Sequence, residues 1–314
     1  MKKEVFVAFI QLIYTVIFLL WNLIISLKFQ DAFFMRRKFT CFFIIFTFFS
    51  CSKDHFFSTN LSNRTNRTIT YNDISVSLII DQPSLDAVDV LMVFHGTVSS
   101  DQNILTAANT TLDKFKDILD RDDIMLISVA YPQENVLLGD SIIKAETALL
   151  WLKNVAGQEL GITIKKVFLG GHSQGGYIVT RLNTMYQTNG VIANAPGPLN
   201  LYFRCQLEEN GQVQSSTVCS NLYSAYGTTM DNPDAYFDRS LLNFTNGFKS
   251  DILFVQGMND SPIQLYSWPT FKQEVLDCMN CQNRQFIEIV GGGHGSLFES
   301  SIGKTAFNMF IDTH

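Results

Sequence analysis

A serine that could act as a nucleophile lies in residues 171–176, which read GHSQGG. The apolar run at 166–170 predicts a buried strand before it, and residues 177–182 predict the start of a helix after it. A G-x-S-x-G turn between a strand and a helix is typical of a nucleophile elbow, in which a strained turn holds the serine oxygen clear of the sheet. Small residues are needed on both sides because a side chain there would collide with the strand or the helix. We therefore predict Ser173 as the nucleophile.

A serine hydroxyl attacks efficiently only when a base takes its proton, and two histidines follow Ser173 in the chain. His314 is the last residue, whereas His294 lies in a glycine-rich turn directly after a predicted strand at 286–290. Those glycines would let the chain turn back and bring the imidazole over the serine. We predict His294 as the base, and a surface glycine loop is the alternative interpretation.

The base needs a carboxylate that orients its ring. Asp260 comes directly after a predicted strand at 252–256, and the chain order Ser, Asp, His is that of one large class of serine hydrolases. A simple Asn-Asp turn is the alternative interpretation for this site. Asp231 and Asp234 are weaker candidates for the same role.

A tetrahedral oxyanion needs preorganised donors. The backbone N–H of Gln174, next to the predicted nucleophile, would be one donor, and that of Thr97, in the loop after a predicted strand at 88–94, would be the other. His95 is predicted to brace this loop. His172 is predicted to point away from the cleft.

The elements that must position these residues alternate along the chain from about residue 71 onward. Nearly all-apolar strands separated by helical patterns predict an α/β fold with a mostly parallel sheet and helices on both faces. In such sheets the active site forms at the carboxyl ends of the strands, and the segments that contain Thr97, Ser173, Asp260 and His294 each follow a predicted strand. Residues 201–244 break the alternation, and we predict a small lid-like insertion there. Predicted strands fall at 74–80, 88–94, 124–130, 166–169, 191–195, 252–256 and 286–290, and predicted helices at 112–119, 141–155, 176–186, 270–279 and 304–311.

The first 51 residues are interpreted as a membrane or export device. Residues 5–27 are apolar and long enough to span a bilayer, and a second segment has a basic start at Met35, an apolar core at 39–49 and small residues at its end. Either translation starts at Met35, or the first segment is a genuine anchor. Residues 52–70 are rich in Ser, Thr and Asn and predict a flexible tether to a folded domain at 71–314.

The cysteines indicate the cellular compartment of the protein, and its overall charge indicates which partners to exclude. Four cysteines lie in the predicted folded domain, an even number that fits two disulfides outside the cytoplasm, although their pairing does not follow from the sequence. A half zinc site at the C-x-x-C pair is a minor alternative. The net charge is −6 and no basic cluster follows residue 40, so nucleic acid is not an expected partner. The four cysteines are Cys205, Cys219, Cys278 and Cys281, and five N-glycosylation sequons, at Asn60, Asn63, Asn66, Asn109 and Asn243, keep a eukaryotic secretory origin open.

Two resemblances follow from these residues. Residues 48–51, which read FFSC, resemble the lipobox of bacterial lipoproteins, which implies lipidation of Cys51 and a membrane-anchored, exported protein; Phe48 departs from the more usual Leu. The domain at 71–314 resembles an α/β-hydrolase, similar to the catalytic domains of the prolyl oligopeptidase and dienelactone hydrolase groups. The segments that carry this resemblance are 95–96, 171–176, 251–260 and 291–295.

The second resemblance implies serine hydrolase chemistry without a metal or organic cofactor. We expect a carboxylesterase that acts on a small-molecule or polymer-borne ester. A serine peptidase or amidase with the same machinery is one alternative, although the chain has no room for the β-propeller that usually precedes prolyl-oligopeptidase-type domains. A catalytically silent binding protein on a hydrolase scaffold is the other.

Overall fold

The polar segment predicted as the end of a tether is instead the first strand of the sheet. The computed structural model describes residues 63–134 and 136–314. Asn63–Tyr71 (β1) pairs along its whole length with Ile74–Gln82 (β2), and Ile69 is buried. Antiparallel pairing at a sheet edge leaves one strand face to solvent, which suits the Asn, Arg and Thr residues that the sequence interpretation assigned to a tether. The tether prediction therefore does not hold for residues 63–70, and the folded domain begins before residue 71.

The remaining strands form one sheet with the order β1-β2-β4-β3-β5-β6-β7-β8. β2 pairs antiparallel with β4, and every later pair is parallel. The predicted mostly parallel sheet is therefore confirmed, with all seven predicted strands present. The strands after β2 are Ala87–Phe94 (β3), Ile124–Ala130 (β4), Thr163–His172 (β5), Gly190–Asn194 (β6), Ile252–Gly257 (β7) and Arg284–Ile289 (β8).

Helices cover both faces of this sheet because alternate residues of each strand point to opposite sides. In β7, Phe254 joins the core on one face, while Leu253 and Val255 join the core on the other. Aromatic side chains dominate both layers: Trp151 and Trp268 on the first face, Phe115 and Phe307 on the second. The helices are Ile104–Ile118 (α1), Ile142–Asn154 (α2), Ala156–Leu160 (α3), Gln174–Met185 (α4), Leu201–Glu209 (α5), Thr217–Tyr226 (α6), Pro233–Phe237 (α7), Pro262–Asp277 (α8), Ser296–Glu299 (α9) and Ser301–Thr313 (α10).

The insertion predicted at 201–244 is helical and has a small core of its own. Helices α5, α6 and α7 pack around Leu201, Leu222 and Tyr236, and the Cys205–Cys219 disulfide joins the first two helices. A second disulfide joins Cys278 and Cys281 at the end of α8. We call α5, α6 and α7 the cap. Each helix is too short to give a clear amphipathic period, which is why the sequence showed none.

The predicted N-terminal segment at 1–51, with Cys51, and the part of the predicted tether up to residue 62 lie outside the described residues. Within the described ranges, no helix combines the length and the apolar character that crossing a bilayer would require.

Candidate active site

Ser173 lies at the junction between β5 and α4 in a strained backbone conformation. Its φ of 57° falls in the left-handed region that residues with side chains rarely adopt. The glycines on either side are required by close approach: a Cβ on Gly171 would collide with the carbonyl oxygen of Gly175, and one on Gly175 would collide with that of Phe94. The Ser173 amide donates to Asn194 O (2.9 Å), which fixes the turn to β6. The sequence GHSQGG thus folds into the sharp turn that it predicts.

His294 and Asp260 are held together by the loops after β8 and β7. His294 Nδ1 donates to Asp260 Oδ2 at 2.8 Å. Two backbone hydrogen bonds join these loops, from Met258 N to Ile289 O (2.9 Å) and from Asn259 N to Gly292 O (2.7 Å). Because the Nδ1 proton is held in the hydrogen bond to Asp260, Nε2 is the basic atom of the His294 ring.

The Asp260 carboxylate is almost fully buried and receives three donors. Besides His294, Gln256 Nε2 donates to Oδ2 (3.0 Å) and the Ser261 amide donates to Oδ1 (2.6 Å). Burial pushes the pKa of Asp260 upward, but the hydrogen bonds from these three residues outweigh it and hold the pKa below its usual value. The carboxylate is therefore ionised at neutral pH and available to orient an imidazole.

The loop after β3 presents Thr97 beside the elbow. Thr97 Oγ1 donates to Gln174 Oε1 (2.9 Å), so the two predicted oxyanion residues are linked through their side chains. Their backbone N–H groups donate to no other residue in the part of the chain that is described. Gln133 holds the loop from the far side, donating to Gly96 O (3.2 Å) and accepting from Val98 N (2.9 Å). The arrangement leaves two rigidly placed donors unused, as an oxyanion hole requires.

Two further histidines pack around the site. His95 donates to Gly96 O (2.7 Å) and stacks on Tyr131 with ring centroids 4.1 Å apart, so it braces the loop as predicted. His172 does not simply point away: its ring lies 4.8 Å from that of His294 and accepts a hydrogen bond from Asn194 Nδ2 (2.8 Å). Burial, followed by the nearby charges of His294 and Lys114, lowers the pKa of His172 to about 3. A neutral ring therefore supports one side of His294.

A cavity of about 530 Å³ brings the predicted residues together. Ser173, Asp260, His294 and Thr97 line it at the carboxyl edge of the sheet. The structure shows no hydrogen bond between Ser173 Oγ and His294 across the described residues, although both side chains face the same space. The volume lies within the range of small-molecule pockets.

The cap supplies part of the wall of this cavity. Leu201 and Arg204 of α5 and Val218 and Cys219 of α6 line it, and Leu199 and Ile263 extend its apolar surface. The four predicted disulfide cysteines form two bonds. The Cys205–Cys219 disulfide lies at the cavity wall, and the Cys278–Cys281 disulfide lies away from it. Across the described ranges, no cluster of three or more His, Cys, Asp or Glu side chains is arranged to hold a metal ion.

Comparison with solved structures identifies the architecture. Est1E from Butyrivibrio proteoclasticus superposes with a TM-score of 0.54 at 13% identity, over 79% of this chain and 98% of that one. A truncated carbohydrate esterase from gut microbiota gives a TM-score of 0.59 at 15% identity, over 81% and 98% of the two chains. The chain has the α/β-hydrolase fold. The fold predicted from the elbow, the acid loop and the histidine loop is thereby confirmed.

The solved structures that resemble this chain also include a peptidase. The α/β-hydrolase domain also resembles Pyrococcus horikoshii acylaminoacyl peptidase, with a TM-score of 0.55 at 13% identity, over 80% of this chain but only 41% of that one. No family model matches the sequence, and no curated protein matches it. At these identities the solved structures establish the fold alone.

Several site residues gave no signal in the sequence. Gln256 is fully buried in a strand, and Gln133 lies in a loop, so neither stands at a spacing that predicts a role. Arg204 follows two aromatic residues in a segment without periodicity. Gln133 bonds to a loop more than 30 residues away in sequence, whereas Gln256 and Arg204 bond to carboxylates four residues further along the chain. The sequence offered one clue, because Gln256 is a polar residue in an otherwise apolar strand at 252–257.

Proposed function

We propose that this α/β-hydrolase domain is a serine hydrolase that cleaves carboxylic esters through an acyl-enzyme intermediate. The observation that carries the proposal is the His294–Asp260 hydrogen bond of 2.8 Å in one cavity with a strained Ser173. A strained turn and a buried, ionised carboxylate each cost stability, and catalysis gives both a reason to persist.

The first half of the reaction would acylate the serine. Ser173 Oγ attacks the ester carbonyl carbon while its proton passes to His294 Nε2, and Asp260 stabilises the imidazolium that forms. The carbonyl oxygen becomes an oxyanion and accepts from the N–H groups of Thr97 and Gln174. The C–O bond to the alcohol then breaks, and His294 returns the proton to the departing alkoxide.

The second half would repeat these steps with water. His294 Nε2 takes a proton from a water molecule whose oxygen attacks the acyl carbon. When the tetrahedral intermediate collapses, the bond to Ser173 Oγ breaks, His294 returns the proton to that oxygen, and a carboxylic acid leaves. Every atom and proton is accounted for by the chain's own residues, the ester and one water molecule.

Labelling with a fluorophosphonate probe tests the nucleophile. The probe should attach to Ser173, as mass spectrometry of the tryptic peptide would show, and the Ser173→Ala variant should not react. A folded wild-type protein that never reacts would support the silent binding protein instead.

Matched substrates separate the ester and amide alternatives. We expect p-nitrophenyl esters to turn over much faster than the corresponding p-nitroanilides, because an amine is the poorer leaving group. Equal or faster amide cleavage would favour a peptidase or amidase.

We also propose that the enzyme works outside the cytoplasm on a lipid anchor. The two disulfides support export because such bonds persist in oxidising compartments. The anchor rests on the sequence at Cys51 alone. Radiolabelled palmitate should be incorporated into the full chain and not into a Cys51→Ala variant, and equal incorporation by both would exclude this cysteine.

A further inference from the structure

One charged side chain in the cavity has no part in the proposed reaction. Asp260, His294 and Arg204 are the titratable residues among those that line this space. Asp260 and His294 are bonded to each other, which leaves Arg204, on the cap side, facing the cavity that also contains Ser173. A guanidinium retains its charge at every physiological pH. Its position therefore concerns binding rather than proton transfer.

The contacts of Arg204 hold one edge of the guanidinium and leave the other open. Nε donates to Glu208 Oε1 at 2.5 Å, one turn further along α5. Neither Nη1 nor Nη2 has a partner among the residues that the structure describes. About a third of the side chain is exposed, and Arg204 lines the cavity. The open edge carries the paired donors that match a carboxylate.

Glu208 is itself fixed and does not use up that open edge. Its side chain is 5% exposed and also accepts from the Ser216 amide (2.7 Å) and from Ser216 Oγ (2.8 Å and 3.1 Å to its two oxygens). The carboxylate therefore anchors Arg204 from behind and joins α5 to the start of α6. Because the arginine is already held, little rotamer entropy would be lost when a ligand binds.

Apolar side chains line the same cavity as Ser173 and Arg204. Leu199, Leu201 and Ile263 lie in the same lining as Ser173 and Arg204. Such a surface favours a hydrocarbon segment, and the guanidinium in the same lining favours a negative group on that segment. An uncharged ester would leave the Nη donors to water.

We propose that Arg204 selects esters that carry a carboxylate remote from the bond to be cleaved. This inference rests on the proposed esterase function and specifies its substrate class, half-esters of dicarboxylic acids. Arg204 is a specificity residue, because it would contact the substrate away from the reacting atoms.

The test compares matched acidic and neutral substrates. The p-nitrophenyl half-esters of succinic, glutaric and adipic acids are paired with the p-nitrophenyl esters of butyric, valeric and hexanoic acids. For at least one chain length, wild-type kcat/KM should be tenfold or more higher for the acidic member. The Arg204→Met variant should lose that preference, lowering the acidic-to-neutral ratio of kcat/KM by at least tenfold.

Two additional variants keep the test decisive. Arg204→Met leaves Glu208 without its cation, so the double variant with Glu208→Gln restores neutrality and should show the same loss of preference if the single variant folds poorly. Arg67→Met removes the arginine of an ion pair with Glu159 that is remote from the cavity and should keep the wild-type ratio. Phosphonate-ended esters of the same lengths distinguish a planar carboxylate from a tetrahedral anion, and a preference for the phosphonate would overturn the carboxylate assignment.

The outcomes separate this inference from the function on which it rests. Hydrolysis of both series with equal kcat/KM, or an unchanged ratio in Arg204→Met and in the double variant, would overturn the role of Arg204 and leave the esterase intact. No hydrolysis of either series, together with no fluorophosphonate labelling of folded protein, would overturn the esterase itself.

Discussion

At the scale of single residues, the site depends on amides behind the carboxylate as much as on the residues that face the cavity. Gln256 Nε2 donates to Asp260, and Gln256 Oε1 accepts from Gln264 Nε2 (3.1 Å), which also donates to Pro196 O (2.9 Å). This chain connects the acid loop to the segment that follows β6. In the proposed reaction, Gln256 is therefore a positioning residue that acts through Asp260.

Replacing Gln256 should lower activity more than its effect on stability explains. Gln256→Leu removes a donor to a charged group, which contributes about 1.5–3 kcal/mol, so we expect kcat/KM to fall by about tenfold or more. Steady-state kinetics and urea unfolding would measure the two effects. Asn183→Leu is the matched control, because Asn183 is an equally buried amide bonded to Ser250 outside the cavity. A similar loss of activity in both variants would indicate general destabilisation.

A buried histidine beside the site should make the fold sensitive to acid. The folded-state pKa of His172 is about 3, below the value of about 6.5 expected in the unfolded chain. Between these values the unfolded state binds a proton that the folded state does not, so stability falls as the pH falls. From pH 7 to pH 5 this one residue should cost about 2 kcal/mol.

The His172→Gln variant tests this contribution. Its unfolding free energy, measured with urea at pH 7 and pH 5, should decline less than that of the wild type by about that amount. Burial lowers the pKa of His95 as well, so some acid sensitivity should remain in the variant. Identical declines in the two proteins would show that His172 is not the source.

At the scale of elements, the Cys205–Cys219 disulfide stabilises the cap. Cys205 and Cys219 are 14 positions apart and join α5 to α6, both of which line the cavity. Closing a loop of this size lowers the entropy of the unfolded chain by an amount equivalent to about 3 kcal/mol. The cap has few buried residues of its own, so the disulfide is a large part of what orders it.

Removal of each disulfide should therefore have different consequences. The Cys205→Ala, Cys219→Ala variant should lose about 3 kcal/mol of unfolding free energy and several-fold in kcat/KM, because the cap wall of the cavity loosens. The Cys278–Cys281 disulfide closes only a short loop at the end of α8. The matched Cys278→Ala, Cys281→Ala variant should therefore lose about 2 kcal/mol of unfolding free energy and retain its kcat/KM. Calorimetry and ester kinetics on both would reveal whether activity follows the cap. Equal activity in the two variants would contradict a special role for Cys205–Cys219.

At the scale of the whole molecule, one edge of the sheet is completed by a strand of unexpected composition. β1 covers β2 and contributes the buried Ile69, and Arg64 reaches Asp81 (3.0 Å) and Asp113 (2.7 Å). Asp81 is almost completely buried, so its charge depends on cations such as Arg64 and Lys116. The folded unit thus includes β1.

Truncation should show where that unit begins. A chain of residues 60–314 should melt cooperatively and hydrolyse esters, whereas one of residues 72–314 should melt at a clearly lower temperature, because β2 loses its partner and Asp81 loses Arg64. Circular dichroism melting curves would compare the two. Equal melting temperatures would support the interpretation of residues 63–70 as part of a tether.

The sequence was informative wherever the chemistry is local. A strand, a tight glycine turn and a helix are adjacent in the chain, so Ser173 and the elbow could be predicted, and the strand-end positions of Asp260 and His294 followed from parallel-sheet geometry. The polar strand β1 was missed because its composition resembles a linker until its partner is known. Gln256 and Arg204 were missed because each contacts a carboxylate four residues further along the chain, and only the folded structure places that pair at the cavity.

The division of labour between sheet and cap has a consequence for engineering. Ser173, Asp260 and His294 stand on loops at the sheet edge, while Arg204 and its anchor Glu208 belong to a single inserted segment, residues 201–244. If both proposals hold, a different insertion grafted between the same two junctions should give chimeras that differ in substrate preference and keep the proposed catalytic residues unchanged. The architecture therefore offers a route by which new specificities can arise through exchange of one contiguous piece.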